Sequence, residues 1–292
     1  MDIAVIGANG QLGTDLVRVF RERGHEVIPF VRAQFDVADA RAVRRVLVEL
    51  HPQAVITCAA FNRVDECEDR PDEAFRVNAL GALHVARACT EVDALCAYIS
   101  TDFVFDGTKG AAYVEDDAPA PVNVYGASKL AGEHLVRQTA GRWLIGRVAS
   151  LFGAAGSSGK GGNFVETILA RARSGQPLRV IDDITMSPTY TVDAARLLET
   201  LVTEGATGVV HLANAGACTW FEFARRICQL AGIPAEVNPV PSSAYPSKAR
   251  RPPNSALATA RLSRWGAYPR PWEEALLAYL VEKGYVGAEA VG

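Results

Sequence analysis

Several functional classes are excluded by what this chain lacks. No apolar run in its 292 residues approaches the roughly 20 needed to span a bilayer. The six cysteines (Cys58, Cys67, Cys89, Cys96, Cys218 and Cys228) form no CxxC pair, and several fall within apolar patterns, so buried reduced thiols are expected. The five histidines show no HExxH or related spacing, and His211 within GVVHLAN reads as a strand residue; no catalytic metal is expected. With 30 basic residues against 33 acidic ones, the net charge of −3 offers no broad field for nucleic acid or an anionic membrane. Any anionic ligand has to be held locally. A glycine motif already begins at Gly7, which leaves no room for a basic leader and apolar segment before it, so a cytoplasmic location is expected.

What is present is a chain of 49% hydrophobic composition, enough to bury a substantial core. In the first half, short apolar runs (DIAVIG, EVIPFV, AVITCAA, LCAYIS, WLIGRVA) alternate with helix-period segments over 11–23, 39–50, 71–90 and 123–138. Asp39 and Asp72 stand as N-terminal caps or first-turn acids of two of these helices. This βαβ alternation predicts an α/β fold, a doubly wound parallel Rossmann sheet. Beyond Ser150 a Gly/Ser-rich loop leads into NFVETILARARSG, which reads as a helix ended by Gly175. TYTVDAARLLETLVTEG and WFEFARRICQLAG also read as helices, and GVVHLAN as a buried strand that returns the chain to the sheet. The expected division is therefore interleaved: 1–150 plus about 187–213 for a dinucleotide-binding domain, and 151–186 plus about 214–292 for a smaller mixed lobe that binds substrate. NPVPSSAYPSKARRPPNSA reads as a binding loop, and VGAEAVG as a loose tail.

GANGQLG places Gly7, Gly10 and Gly13 directly after the first strand and at the entry to a helix. There they let the backbone turn sharply and approach a pyrophosphate, which meets free N–H groups and the positive end of the helix dipole. Asn9, Gln11 and Leu12 lie in the same turn. A site preferring NAD usually carries an acid at the end of the second strand; here the strand ends Phe30, Val31, Arg32. Arg32 suits a 2′-phosphate, so NADPH is expected over NADH, with Asp36 at the adenine end.

Tyr125 and Lys129 in YGASK are four residues apart, which on a helix puts both side chains on one face. Bringing a free tyrosine from a pKa near 10 to about 7 requires roughly 4 kcal/mol. One charge at about 4 Å in an effective dielectric of about 20 supplies a comparable energy before desolvation is subtracted. Lys129 is thus expected to tune Tyr125 as the general acid for ketone reduction. Thr101, in STDFVFDG, follows the fourth strand at the carboxyl end of the sheet, where ligands bind in open α/β folds, and its hydroxyl can hold the carbonyl oxygen.

Taken in order, GANGQLG, STDFVFDG, PVNVYGASKLAGE, NFVETIL, SPTYTVDAA and RPPNSALATARL resemble the dTDP-4-dehydrorhamnose reductase family of the extended short-chain dehydrogenase/reductases, over nearly the whole chain. The resemblance implies reduction of the C4 ketone of dTDP-4-dehydro-6-deoxy-L-mannose to dTDP-L-rhamnose with NADPH or NADH. It assigns Gly10, Gln11 and Leu12 to the cofactor diphosphate, Asp36 and Val37 to the adenine, and Cys58, Ala59 and Ala60 to the cofactor wall. Thr101 and Asp102 would contact the sugar, Tyr125 would donate the proton, and Lys129 would also bind the nicotinamide ribose. Asn163, Ser187 to Thr189 and Asn254 in the RPPNS loop match the substrate side, where Arg250 and Arg251 suit a diphosphate. Two departures stand out: RVAS, Arg147 to Ser150, replaces the common RTSW, and the loop Gly153 to Gly162 is long and rich in Gly and Ser.

The same residues also suit another reductase or epimerase of sugar nucleotides. STDFVFDG favours the reductase, because epimerases of the superfamily more often show a Ser-rich segment there. A relative of the family serves as a non-catalytic regulatory subunit of methionine adenosyltransferase, and retention of Thr101, Tyr125 and Lys129 argues against that role. The expected partner is a nucleotide-sugar substrate, with no nucleic acid and no membrane; a homodimer is compatible with the chain.

Overall fold

The computed structural model describes residues 1–156 and 162–287. The middle of the Gly/Ser loop (157–161) and the end of the C-terminal tail (288–292) lie outside the described residues.

In the first half, β1 (Asp2–Ile6), α1 (Gln11–Glu22), β2 (Glu26–Phe30), α2 (Ala40–Leu50) and β3 (Ala54–Thr57) form two consecutive crossovers. Next come the short helices α3 (Val64–Asp69) and α4 (Pro71–Phe75), then α5 (Gly81–Glu91), β4 (Leu95–Thr101), α6 (Val124–Thr139) and β5 (Arg142–Val148). The remainder comprises β6 (Leu151–Phe152), α7 (Phe164–Arg173), β7 (Leu178–Ile181), β8 (Thr185–Met186), β9 (Thr189–Tyr190), α8 (Thr191–Thr203), β10 (Gly208–His211), β11 (Cys218–Thr219), α9 (Trp220–Leu230), β12 (Val237–Val240) and α10 (Trp272–Glu282).

Six strands make one parallel sheet in the order β10-β5-β4-β3-β1-β2. The order reverses direction between β1 and β3, and the carboxyl ends of the strands on either side of that switch open a crevice suited to ligands. β3 and β4 are buried along their whole length, as expected of strands covered by helices on both faces. β2 contains Pro29, tolerated because this strand is the sheet edge and its missing N–H breaks no ladder on the outer side. Asp39 caps α2 by accepting from Arg41 N and Ala42 N at 3.0 and 3.1 Å. One apolar cluster joins α1 and α8 on one face and continues under α7, α9 and α10; a second packs α2 and α5 on the other.

The helix expected over 71–90 is interrupted. Between α4 and α5 the residues Arg76–Leu80 form a π turn, and Asn78 is fully buried within it. Its Oδ1 accepts from Phe61 N at 2.8 Å, while its Nδ2 donates to Phe61 O at 3.1 Å and to Ser128 Oγ at 2.9 Å. The wider turn lets one side chain tie the segment after β3 to α6, a tertiary demand that helix periodicity does not display.

Candidate active site

At the carboxyl ends of the strands lies a cavity of about 710 Å³. Its floor is the glycine turn: Gly7, Gly10, Gln11, Leu12 and Gly13 all line it. Gly7 has φ 85°, and a Cβ there would lie 2.9 Å from Ala59 N, so only glycine lets β1 run this close to the segment after β3. A Cβ on Gly13 would collide with Gly7 O. Gly10 is the N-cap of α1 and offers no side-chain acceptor to the free N–H groups of the first turn. The result is a cradle that fits a diphosphate.

Thr101, Asp102, Tyr125 and Lys129 line the same cavity. Asn123 caps α6 by accepting from Gly126 N at 2.8 Å, so Tyr125 falls in the first turn and Lys129 one turn on. β4 ends at Thr101, whose hydroxyl donates to Asp102 Oδ1 at 2.9 Å and also shares a hydrogen bond with the Tyr125 hydroxyl. Phe103 meets the Tyr125 ring edge-on, with centroids 6.0 Å apart. Asp102 is 3% exposed, and its Oδ2 has no partner among the described residues. Burial pushes its carboxyl up to about 6, opposed by hydrogen bonds from Ser255 and Thr101.

Burial also raises the Tyr125 phenol well above its ordinary value, with Asp102 and Cys67 adding to the rise and the Thr101 hydroxyl opposing it. This departs from the expectation that Lys129, helped by the oxidised nicotinamide ring, draws Tyr125 down: in the protein alone the cost of desolvating a phenolate dominates, and Lys129 is not among the groups that move it. Lys129 is itself 2% exposed, and burial pushes its ammonium down to about 7, while Cys58 and Glu133 oppose that. At neutral pH the phenol is fully protonated, the state a proton donor needs.

Cys58, Ala60, Asn163 and Arg251 also line the cavity. Asn163 is at the same time the N-cap of α7. Arg251 is held 3.0 Å from Asp65. Burial pushes the Cys58 thiol up to about 12.

Other expected residues stand apart from the cavity wall. Asn9 is exposed in the turn, and Arg32 is exposed 3.8 Å from Glu73. Asp36 Oδ1 accepts from Ala38 N at 3.0 Å, Val37 is buried, and Ala59 lends its backbone to the contact with Gly7.

Four residues expected on the substrate side lie off the cavity wall, and in two of them, Ser187 and Thr189, the hydroxyl is engaged with buried backbone. Ser187 is buried, donates to Gly216 O at 3.0 Å and accepts from Leu257 N at 3.1 Å; Thr189 is buried and donates to Ser187 O at 3.2 Å. Arg250 is exposed, and its backbone carbonyl accepts from Asn123 Nδ2 at 2.9 Å. Asn254 donates to Ala111 O at 3.0 Å and accepts from Ala256 N at 3.0 Å. A hydroxyl or amide spent on buried backbone is not free to meet a ligand.

Four wall residues escaped the sequence reading, Phe103, Arg171, Arg179 and Trp220, while Tyr245 and Ser255 come from the segment expected to be a binding loop. Ser150, which replaces the family's aromatic residue in RTSW, lies on the wall with φ 40°. Aromatic surface comes instead from Trp220, packed on Phe164 with centroids 4.6 Å apart. The signal for Trp220 was the capping box Thr219 to Glu222, which places it at the first turn of α9. Arg171 and Arg179 carry no local signal, since only the docking of α7 and β7 brings them to one mouth. Among the described residues no helix is long and apolar enough to cross a membrane, and no group of three His, Cys, Asp or Glu side chains could hold a metal.

The parallel sheet, the glycine turn under its first crossover and the Tyr125/Lys129 pair on α6 define the extended short-chain dehydrogenase/reductase class. Residues 1–284 match the family described as RmlD substrate binding domain, and the chain belongs to that family. It is 39% identical over 96% of its length to 97% of the spore coat polysaccharide biosynthesis protein SpsK of Bacillus subtilis. It is 37% identical over 94% of its length to 83% of the dTDP-4-dehydrorhamnose reductase of Mycolicibacterium smegmatis. The dTDP-4-dehydrorhamnose reductase of Bacillus anthracis, solved in complex with NADP, superposes with a TM-score of 0.91 at 35% identity, covering 96% of this chain and 99% of that one.

Proposed function

We propose that this protein reduces the C4 ketone of dTDP-4-dehydro-L-rhamnose to dTDP-L-rhamnose with NADPH, in the cytoplasm. The observation that carries this reading is the convergence of Thr101, Asp102, Tyr125 and Lys129 on one wall of a cavity floored by the glycine turn. In the proposed division, residues 1–150 with about 187–213 hold the dinucleotide, and 151–186 with about 214–292 grip the nucleotide sugar.

Gly10, Gln11 and Leu12 would hold the cofactor diphosphate at the start of α1, with Cys58 and Ala60 along its side and Lys129 at the nicotinamide ribose. When bound, the reduced nicotinamide supplies the hydride. Thr101 orients the ketone oxygen and Tyr125 delivers the proton to it, so that the carbonyl becomes a secondary alcohol. Asp102, with one oxygen unpartnered, accepts from a sugar hydroxyl. At the far mouth, Arg171, Arg179 and Arg251 offer guanidinium forks to the substrate diphosphate, and Trp220 and Tyr245 offer faces to a base.

The test is purified protein with NADPH and a panel of dTDP-, GDP- and UDP-linked 4-keto sugars, with products identified by NMR. Turnover confined to the dTDP-linked L-sugar supports the reading. Isomerisation without net NADPH consumption overturns it in favour of an epimerase, and cofactor binding without turnover of any sugar overturns it in favour of a regulatory subunit.

A further inference from the structure

The lysine of the catalytic pair has an unusual seat. Among the described residues no carboxylate oxygen lies within 4.0 Å of Lys129 Nζ, and the nearest acid along α6, Glu133, is paired with Arg147 instead. Glu133 follows it by one turn on the same face of α6, yet both carboxylate oxygens of Glu133 are taken by Arg147 at 2.9 and 2.7 Å. Oε1 also accepts from Ser100 Oγ at 2.5 Å. What faces the Lys129 ammonium closely is the ring of Tyr98, with Nζ 4.0 Å from the centroid.

Tyr98 is 1% exposed on β4, and its hydroxyl donates to Asn78 O at 2.8 Å in the π turn. Donating that proton leaves the ring electron-rich and fixes its plane. The seat depends on a close approach: a Cβ on Gly132 would collide with Asn78 O and lie 2.5 Å from the Tyr98 hydroxyl. Glycine at this position of α6 lets the helix lie against the tyrosine.

We propose that Tyr98 is a positioning residue, whose ring face seats the Lys129 ammonium at the cavity wall where a carboxylate partner would otherwise be needed. A carboxylate there would pair with the lysine and draw it away from the ligands. A ring face holds the cation by its quadrupole without tying it into an ion pair, so N–H donors remain to turn into the cavity. The groups bearing on Lys129 are Cys58 after β3, Tyr98 on β4 and Glu133 on α6, with Arg147 on β5 paired to Glu133; Tyr125, on the same helix, has Asp102 facing it. Of these, Tyr98 is a neutral group that favours the charged lysine at short range. The proposal rests on the reading of Lys129 as part of the reductive site.

The experiment follows the titration of Lys129 itself, by NMR of protein labelled with ¹³Cε-lysine and assigned with Lys129→Arg. Tyr98→Phe keeps the ring, and the Lys129 midpoint should stay within a few tenths of a pH unit. Tyr98→Leu removes the ring, and the midpoint should fall by roughly one to one and a half pH units, the range set by a buried cation–π contact at 1.36 kcal/mol per unit. An unchanged midpoint in a folded Tyr98→Leu protein overturns the proposal. If Tyr98→Leu does not fold, phenylalanines of increasing ring fluorination at position 98 take its place: a stepwise fall supports the seat, and a flat series overturns it. Because no sugar is present, a failure to reduce any keto sugar would count against the proposed function and leave this titration intact.

Discussion

The Arg147 guanidinium and the Glu133 carboxylate form a two-bond pair at 2.9 and 2.7 Å, with side chains 4% and 2% exposed, one turn of α6 beyond Lys129. Arg147 also lies 5.1 Å from the centroid of the Phe105 ring. One strand of the sheet and the helix that carries Tyr125 and Lys129 are therefore joined by buried charge. Removing a single partner leaves the other uncompensated, so Glu133→Gln or Arg147→Met should each cost about 3–5 kcal/mol of stability. Urea denaturation checks this; a loss below about 1 kcal/mol in both variants would show that water reaches the pair.

Tyr125→Phe should lower ketone reduction by roughly 10²–10⁴-fold, the usual worth of a positioned general acid. NADPH affinity, measured by fluorescence titration, should change by less than about threefold, because the hydroxyl acts on the sugar oxygen. Unchanged turnover would remove Tyr125 from the acid role.

Asp102 should make stability depend on pH in an unusual direction. Its folded pKa of about 6 lies above the ordinary 3.8, so the folded state holds the proton more tightly. The associated stability is present below about pH 4 and is lost as pH rises through 6, a cost on the order of 3 kcal/mol at neutral pH. Asp102→Asn should therefore gain stability at pH 7 and lose that advantage at pH 4. Equal gains at both pH values in thermal melts would count against the raised carboxyl.

Lys129 is displaced in the sense that also penalises the neutral-pH fold. Its folded pKa of about 7 lies below the ordinary 10.5, so its contribution is present above 10.5 and is lost as pH falls through 7. Lys129→Met should be inactive yet more stable than the parent at pH 7, with the gap closing toward pH 10. A variant that is destabilised at pH 7 contradicts the desolvated lysine.

Arg32 is exposed just beyond the end of β2, with Glu73 at 3.8 Å as its ion-pair partner among the described residues, and the proposed NADPH preference would draw on it. Arg32→Ala should reduce the preference for NADPH over NADH by about tenfold, equivalent to roughly 1.4 kcal/mol. Reduction rates with both cofactors check this, and a parent enzyme that strongly prefers NADH would sink the assignment.

Local patterning was enough to determine the strands β1 to β5, the helices α1, α2 and α6, the glycine turn and the Tyr125/Lys129 spacing. Each depends on residues adjacent in the chain: an alternation of apolar runs, a turn only glycine can make, or a four-residue helical spacing. The cap at Asp39 was legible for the same reason. Only the tertiary structure decided the rest. It broke the helix over 71–90 at the π turn so that Asn78 could reach Phe61 and Ser128. It withdrew Ser187 and Thr189 into buried backbone contacts and brought Arg171, Arg179 and Trp220 to the mouth. It also reversed the expected shift of Tyr125, because a pKa depends on how much water the surrounding elements exclude, and that exclusion is set by packing between residues far apart in sequence.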